Sequence, residues 1–471
     1  MKKNIIAKTS KLLTAAMVLL LAAAMLFSAG CTFRIPGSDT PQGTAVNNGE
    51  KTPEPGTTIK DGEENIYGDG VIGEHKEAGE EGSSWLEELI DSVLPGKRSD
   101  KYEAEAYPIS DGVTALDPGI GIIPEPKPIG GDSSGKYDEQ LSAGTLTAGE
   151  IKDLKDIQNW ISLWNDSSWD NIRKSRGLFA DNVITVSALP LTAVSLLDGD
   201  NVVYKAVSDL YGSATFVFPD SMKGKEFTVK SGDLTTTVTC TPGASATLTE
   251  TIKFAPQSAK SLDLMLMIDT TGSMGDELEY IKIEIRDVIE RIRAEQDISV
   301  RLSVNFYRDE GDEYVVKYFD FRSDIDECVK ILGEQSSNGG GDYPEAVHTA
   351  LGNVLQHSWR EDSVKLCFFV LDAPPHDESE IQGINAGMLK DVAAIAAKGI
   401  RIIPVVSSGA DLSVESLMRA FAVMTGGTYL FLTDHSGIGG EHQTPTDTQY
   451  EVEPLNDCMV RVVKDYVFVK S

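Results

Sequence analysis

From Leu262 to Val467 the chain alternates two patterns. Short, continuous apolar runs predict strands at Leu262–Ile268, Ser299–Phe306, Tyr314–Phe321, Val364–Leu371, Ile400–Val406 and Tyr429–Leu432. Between them, apolar positions recur every three or four residues, predicting helices at Glu277–Arg293, Ile325–Leu332, Glu345–Leu355, Ala386–Ala397 and Val414–Met424. A last helix opens at Pro454 and carries Leu455, Met459, Val462, Val463 and Tyr466 on one face. Strands apolar on both faces, alternating with helices, predict an α/β fold with a doubly wound, mostly parallel, Rossmann-like sheet. Such sheets bind ligands beyond the carboxyl ends of their strands.

The preceding stretch has a different period. Residues 182–256 hold seven short β-branched runs separated by turn signals such as Asp198-Gly199-Asp200-Asn201 and Pro242-Gly243, which predict a small all-β sandwich. It resembles the carboxypeptidase regulatory-like and immunoglobulin-like modules of surface proteins. Ahead of it, Ile151, Leu154, Ile157, Ile161 and Trp164 fall at helical spacing. Residues 32–146 are rich in Gly, Pro, Ser and acids and poor in apolar runs, a composition that cannot offset the entropy of ordering. The expectation is a disordered tether whose span as a coil is roughly 60 Å. Its one island, Ser84–Ile90, has a capping-box start and predicts a transient helix. The boundaries read from these shifts are 1–31, 32–146, 147–257 (amphipathic helix plus sandwich) and 258–471.

At the N-terminus, lysines precede an apolar run from Leu12 to Phe27, then Ser28-Ala29-Gly30-Cys31. That layout reads as a secretory signal. Its end resembles the bacterial lipobox, which implies lipidation of Cys31 and an extracytoplasmic protein anchored to the bacterial membrane. An uncleaved signal anchor is the alternative and leaves the remainder on the same side. The net charge is −31, and because the only charges in residues 1–30 are four lysines, the chain beyond them carries −35. Such a surface attracts cations and repels nucleic acid, so no nucleic-acid partner is expected. The remaining cysteines, Cys240, Cys328, Cys367 and Cys458, form no CxxC pair, which argues against zinc.

The candidate chemistry follows the strands. Asp269-Thr270-Thr271-Gly272-Ser273 brings a carboxylate and two hydroxyls to one strand-to-helix turn, a ligand set suited to a hard cation. The Asp-x-Thr-x-Ser pattern resembles the metal-ion-dependent adhesion site of von Willebrand factor type A domains. Gly339-Gly340-Gly341-Asp342-Tyr343-Pro344-Glu345 is similar to the Asp-x-Pro-Glu loop of integrin β I-like domains. Leu371-Asp372-Ala373 resembles the family's third metal loop. The resemblance implies Asp269, Thr271, Ser273, Glu345 and Asp372 as metal ligands, with Asp342 in this site or a neighbouring one. It also implies Mg2+ (or Ca2+ or Mn2+) as cofactor, and a protein ligand whose acidic side chain completes the coordination sphere. Asp276 and Glu277 align with a secondary, adjacent metal site, and Tyr307-Arg308-Asp309-Glu310-Gly311-Asp312 resembles a loop of bacterial and kinase-linked members. On this reading the protein is a binding module and not an enzyme.

The rival is a serine hydrolase using Ser273 and His376. Ser273 lies on a strand-to-helix turn, but Thr271 stands where a nucleophile elbow needs glycine. A haloacid dehalogenase-type phosphatase would need a second Asp at Thr271. His348 on a helix and a solvent-facing His357 carry no role.

Overall fold

The computed structural model describes residues 142–248, 256–295, 298–446 and 449–470. Cys31, most of the tether and the Ser84–Ile90 island lie outside the described residues. No helix among the described residues is long and apolar enough to cross a membrane.

In chain order the elements are β1 (Thr147–Ile151), α1 (Ile157–Trp164), α2 (Ser167–Arg176), β2 (Asn182–Ser187), β3 (Ala193–Asp198), β4 (Asn201–Val207), β5 (Ser213–Phe218), β6 (Glu226–Ser231), β7 (Leu234–Thr239) and β8 (Ser245–Thr247). The α/β part continues with β9 (Ser261–Asp269), α3 (Leu278–Arg293), β10 (Ser299–Tyr307), β11 (Val316–Lys317), α4 (Ile325–Gly333), α5 (Val347–Val354), β12 (Val364–Leu371), α6 (Ile384–Ala397), β13 (Ile400–Val406), α7 (Leu412–Thr425), β14 (Tyr429–Leu432), β15 (Val452–Pro454) and α8 (Leu455–Val467).

The main sheet runs β11-β10-β9-β12-β13-β14-β1-β15. Its five central strands, β10, β9, β12, β13 and β14, are parallel, while β11 and β1 are antiparallel to their neighbours. All nine residues of β9 and all eight of β12 are buried. Alternate side chains supply two cores: Met265, Met267, Cys367 and Phe369 pack with α5, α6 and α7, whereas Leu264, Leu266, Phe368 and Val370 pack with α3, α4 and α8. The chain winds outward from β9 in one direction through β10 and in the other through β12, so the strand order reverses between β9 and β12. A ligand crevice belongs at that switch point.

The sandwich has sheets β5-β2-β8 and β4-β3-β6-β7 around Ile184, Phe216, Phe218 and Phe227. Ala393 of α6 belongs to the same core, so the sandwich is packed onto the α/β part. The four cysteines from Cys240 onward are buried and unpaired.

Three local readings differ. Thr147–Ile151 is not the start of the amphipathic helix but a strand of the main sheet, lying between β14 and β15, and the helix begins at Ile157. Pairing of β1 with both β14 and β15 stabilises it, and at Gly149 the Phe431 ring leaves no room for a side chain. The sandwich is thus an excursion between β1 and β9. Second, the strand expected at Tyr314–Phe321 shrinks to two residues. Side chains take its backbone instead: Phe319 N–H donates to Asn305 Oδ1 (2.7 Å) and Ser303 Oγ to Phe319 O (2.7 Å). Third, His357 is buried, with Nε2 3.1 Å from Asn305 Oδ1 and its ring 4.4 Å from that of Tyr318.

Candidate metal centre

Asp269 ends β9 fully buried. Its Oδ1 accepts the Thr271 N–H (2.8 Å) and hydroxyl (2.6 Å), so the first carboxylate shapes its own turn. Thr271 Oγ1 lies 3.2 Å from Ser273 Oγ, and Asp372 follows β12 directly.

Backbone hydrogen bonds tie the second loop to this turn. Gly272 N–H donates to Gly339 O and Asn338 N–H to Thr270 O, both at 3.0 Å. Gly340 has φ +69°, and a Cβ there would sit 2.8 Å from Glu345 Oε1 and 3.3 Å from Thr271 Cβ. Glycine lets Glu345 face Thr271. Glu345 N–H donates to Pro374 O (2.9 Å), which joins the second loop to the third.

Asp269 Oδ2, Glu345 Oε2 and Asp372 Oδ1 are buried with no hydrogen-bond partner. Burial raises the pKa of all three acids. Glu345 is pushed to about 9, with the charges of Asp269, Asp309, Asp372 and Asp312 adding to its burial. Asp269 is raised by burial and then by the charge of Asp372. An unsatisfied buried acceptor costs about 1–3 kcal/mol, and more when charged. Three such oxygens beside two hydroxyls, with no nitrogen or sulfur donor, fit a hard divalent cation. Asp269, Thr271, Ser273, Glu345 and Asp372 are the residues that could hold it.

The other sequence candidates sit differently. Asp342 is exposed, and its carboxylate groups with His376 and Glu380, their ligand atoms within 4.8 Å of one another. Asp276 is exposed. Glu277 is buried, but Oε1 lies 2.8 Å from His442 Nε2 and Oε2 accepts the Ser408 N–H (3.2 Å). At the secondary metal site expected at Asp276 and Glu277, both Glu277 oxygens are thus engaged by protein groups. His442 also bonds Asp434 through Nδ1 (2.7 Å). Burial would lower its pKa, but the two carboxylates outweigh that and raise it above the ordinary histidine value. His376 is held likewise, with Nε2 2.7 Å from Asp309 and Nδ1 3.0 Å from Glu380.

The Tyr307–Asp312 loop, to which the sequence assigned no part, braces the site. Arg308 donates to Thr270 O (3.2 Å) and Ser336 O (3.0 Å) with its guanidinium 4.5 Å above the Tyr314 ring. Asp312 Oδ2 accepts the Gly340 N–H (2.8 Å). The signal that could have found it is an acid and an arginine directly after a buried strand.

Residues 263–433 match the family described as von Willebrand factor A domain. The chain is 27% identical over 187 residues to a putative ariadne-like RING finger protein of Acanthamoeba polyphaga mimivirus, covering 36% of this chain and 18% of that protein. It is 27% identical over 124 residues to the alpha-protein kinase vwkA of Dictyostelium discoideum, covering 26% and 20%. It is 33% identical over 114 residues to human von Willebrand factor A domain-containing protein 7, covering 24% and 12%. The chain therefore spans a fifth or less of the length of these relatives. Fold and comparisons agree that residues 263–433 form a von Willebrand factor A domain.

Proposed function

We propose that this domain binds a protein ligand through a divalent cation held at a metal-ion-dependent adhesion site by Asp269, Thr271, Ser273, Glu345 and Asp372. The observation carrying this reading is the set of three buried carboxylate oxygens without partners. A cation would satisfy them and leave a coordination position for an acidic side chain of the ligand. The chain's negative charge repels such a ligand at a distance, but salt screens this beyond about 8 Å. Contact then rests on the cation and on neighbouring apolar surface, including the Tyr343 ring, which is 43% exposed and donates its hydroxyl to Gly409 O (3.2 Å). The cation is Mg2+, Ca2+ or Mn2+.

A binding role, and not hydrolysis, is supported by the engagement of both His376 nitrogens with carboxylates, Nδ1 with Glu380 and Nε2 with Asp309. The kinase among the relatives shares only 20% of its length with this chain. Asp269→Ala, Ser273→Ala, Glu345→Ala and Asp372→Ala should each lose cation binding and partner capture together, while His376→Ala retains most of both. A hydrolase would lose activity equally in Ser273→Ala and His376→Ala, because members of a catalytic unit fail together. Labelling of Ser273 by a serine-directed probe that EDTA leaves unaffected would refute the adhesion reading.

We further propose that Cys31 carries lipid and that the domain works outside the bacterial membrane at the end of a long tether. Cys31→Ala should abolish metabolic lipid labelling and shift the protein to the soluble fraction. Labelling that persists in this variant would refute the anchor.

A further inference from the structure

The third loop contains Ala373-Pro374-Pro375-His376. Pro374 and Pro375 lack N–H groups, so at these two residues the backbone can be gripped only through its carbonyls. Pro374 O is taken by the Glu345 N–H (2.9 Å). The next two carbonyls, Pro375 O and His376 O, are both taken by Arg176, the last residue of α2, with Nη2 2.8 Å from Pro375 O. Asn385 Nδ2 holds the same end of α2 through Ser175 O (3.0 Å). Arg176 lies outside residues 263–433, and burial pulls its pKa down, although the acids Asp377, Asp411, Glu380 and Glu378 offset part of this.

We propose that Arg176 is a positioning residue of the metal centre: its guanidinium fixes the Pro374–His376 backbone and, through it, the placement of Glu345 and Asp372. The inference rests on the metal-site reading above. The planar fork supplies two donors in fixed geometry to adjacent carbonyls, which the point charge of lysine on a flexible stem cannot reproduce. The segment from β1 to α2 is then part of the metal-binding unit, which the family match alone does not include.

The test uses the full chain, stripped with chelator and then titrated with Mn2+. Arg176→Ala should weaken Mn2+ binding by about 10- to 100-fold, the usual cost of losing an outer support of a metal ligand. Arg176→Lys should fall between it and wild type. In EDTA, hydrogen exchange at the Glu345 amide should be faster in Arg176→Ala, because its acceptor Pro374 O is no longer held. Arg173→Ala is the control for a merely structural role. Arg173 lies on the same helix and pairs with Asp170 (3.0 Å) and Asp181 (3.5 Å), away from the loop, so this variant should lower the unfolding midpoint and leave Mn2+ affinity unchanged. Wild-type Mn2+ affinity and wild-type exchange at Glu345 in Arg176→Ala would overturn the inference and leave the metal site standing. If Arg176→Ala does not fold, Arg176→Lys decides in the same way. Failure of the wild type itself to bind Mn2+ would overturn the metal-site reading, and this inference with it.

Discussion

Replacing Arg419 with alanine is expected to destabilise the fold by about 3–5 kcal/mol, the usual cost of removing one partner from a buried ion pair. Arg419 is fully buried on α7. Its Nε donates to Asp153 Oδ2 (3.0 Å) and its Nη1 to Glu415 Oε1 (2.9 Å). The guanidinium also faces the rings of Trp160 and Trp169 at 5.9 and 5.5 Å. Those rings and Trp164 pack on one another with centroids 5.2 to 6.0 Å apart, so one arginine docks the whole β1–α2 segment onto α7. Alanine would take the guanidinium away from two buried carboxylates, leaving Glu415 only its bonds from Thr446, and open a space beside two indoles. Lysine would recover little, because a point charge cannot serve both acids. The exposed pair Arg286–Glu290 (3.2 Å) is the contrast, and Arg286→Ala should cost no more than about 1 kcal/mol. Urea midpoints of the two variants check this, and a loss below about 1 kcal/mol for Arg419→Ala would contradict the docking role.

With metal removed, Glu345→Gln is expected to stabilise the protein at neutral pH, the opposite sign from most substitutions of a buried residue. The folded-state pKa of Glu345 is pushed to about 9 from an ordinary 4.5. A group raised in this way favours the fold below its unfolded pKa, and that contribution is lost as pH rises through the folded value. Metal-free wild type should therefore lose stability from pH 5 to 9. Asp269 and Asp372, also raised, act in the same direction, as do His376 and His442 above their ordinary 6.5. Glutamine keeps the side-chain shape without the charge, so the variant should lie above wild type in EDTA at pH 7–9 and depend less on pH. A cation at a hundredfold excess over its Kd should add about 2.7 kcal/mol to wild type and little to the variant, reversing their order. Thermal unfolding at pH 5, 7 and 9, with EDTA and with Mg2+, reads both effects. Lower stability of Glu345→Gln in EDTA would contradict the account.

What could be read in advance depended on how local each signal was. β9 and β12 are apolar on both faces, and their expected and observed bounds differ by at most two residues. The five metal-site candidates were legible because each loop directly follows a strand or opens a helix. β1 was not, because Thr-Ala-Gly-Glu-Ile carries a single large apolar residue, and its place comes from pairing with β14 and β15. The contacts that surround the site were hidden by sequence separation: Glu277 meets His442 across 165 residues and Arg176 meets Pro375 across 199. The contact of Glu277 with His442 is therefore invisible to a local reading of the metal motif.

The most direct test of the metal site is calorimetric titration of Mg2+ and Mn2+ into the chelated full-length protein, with wild type and Asp269→Ala side by side. The account predicts one cation bound per chain in wild type, with affinity falling as pH drops and the ligand carboxylates take up protons, and no binding in Asp269→Ala. Wild type that takes up neither ion, or Asp269→Ala that binds as tightly as wild type, would contradict it.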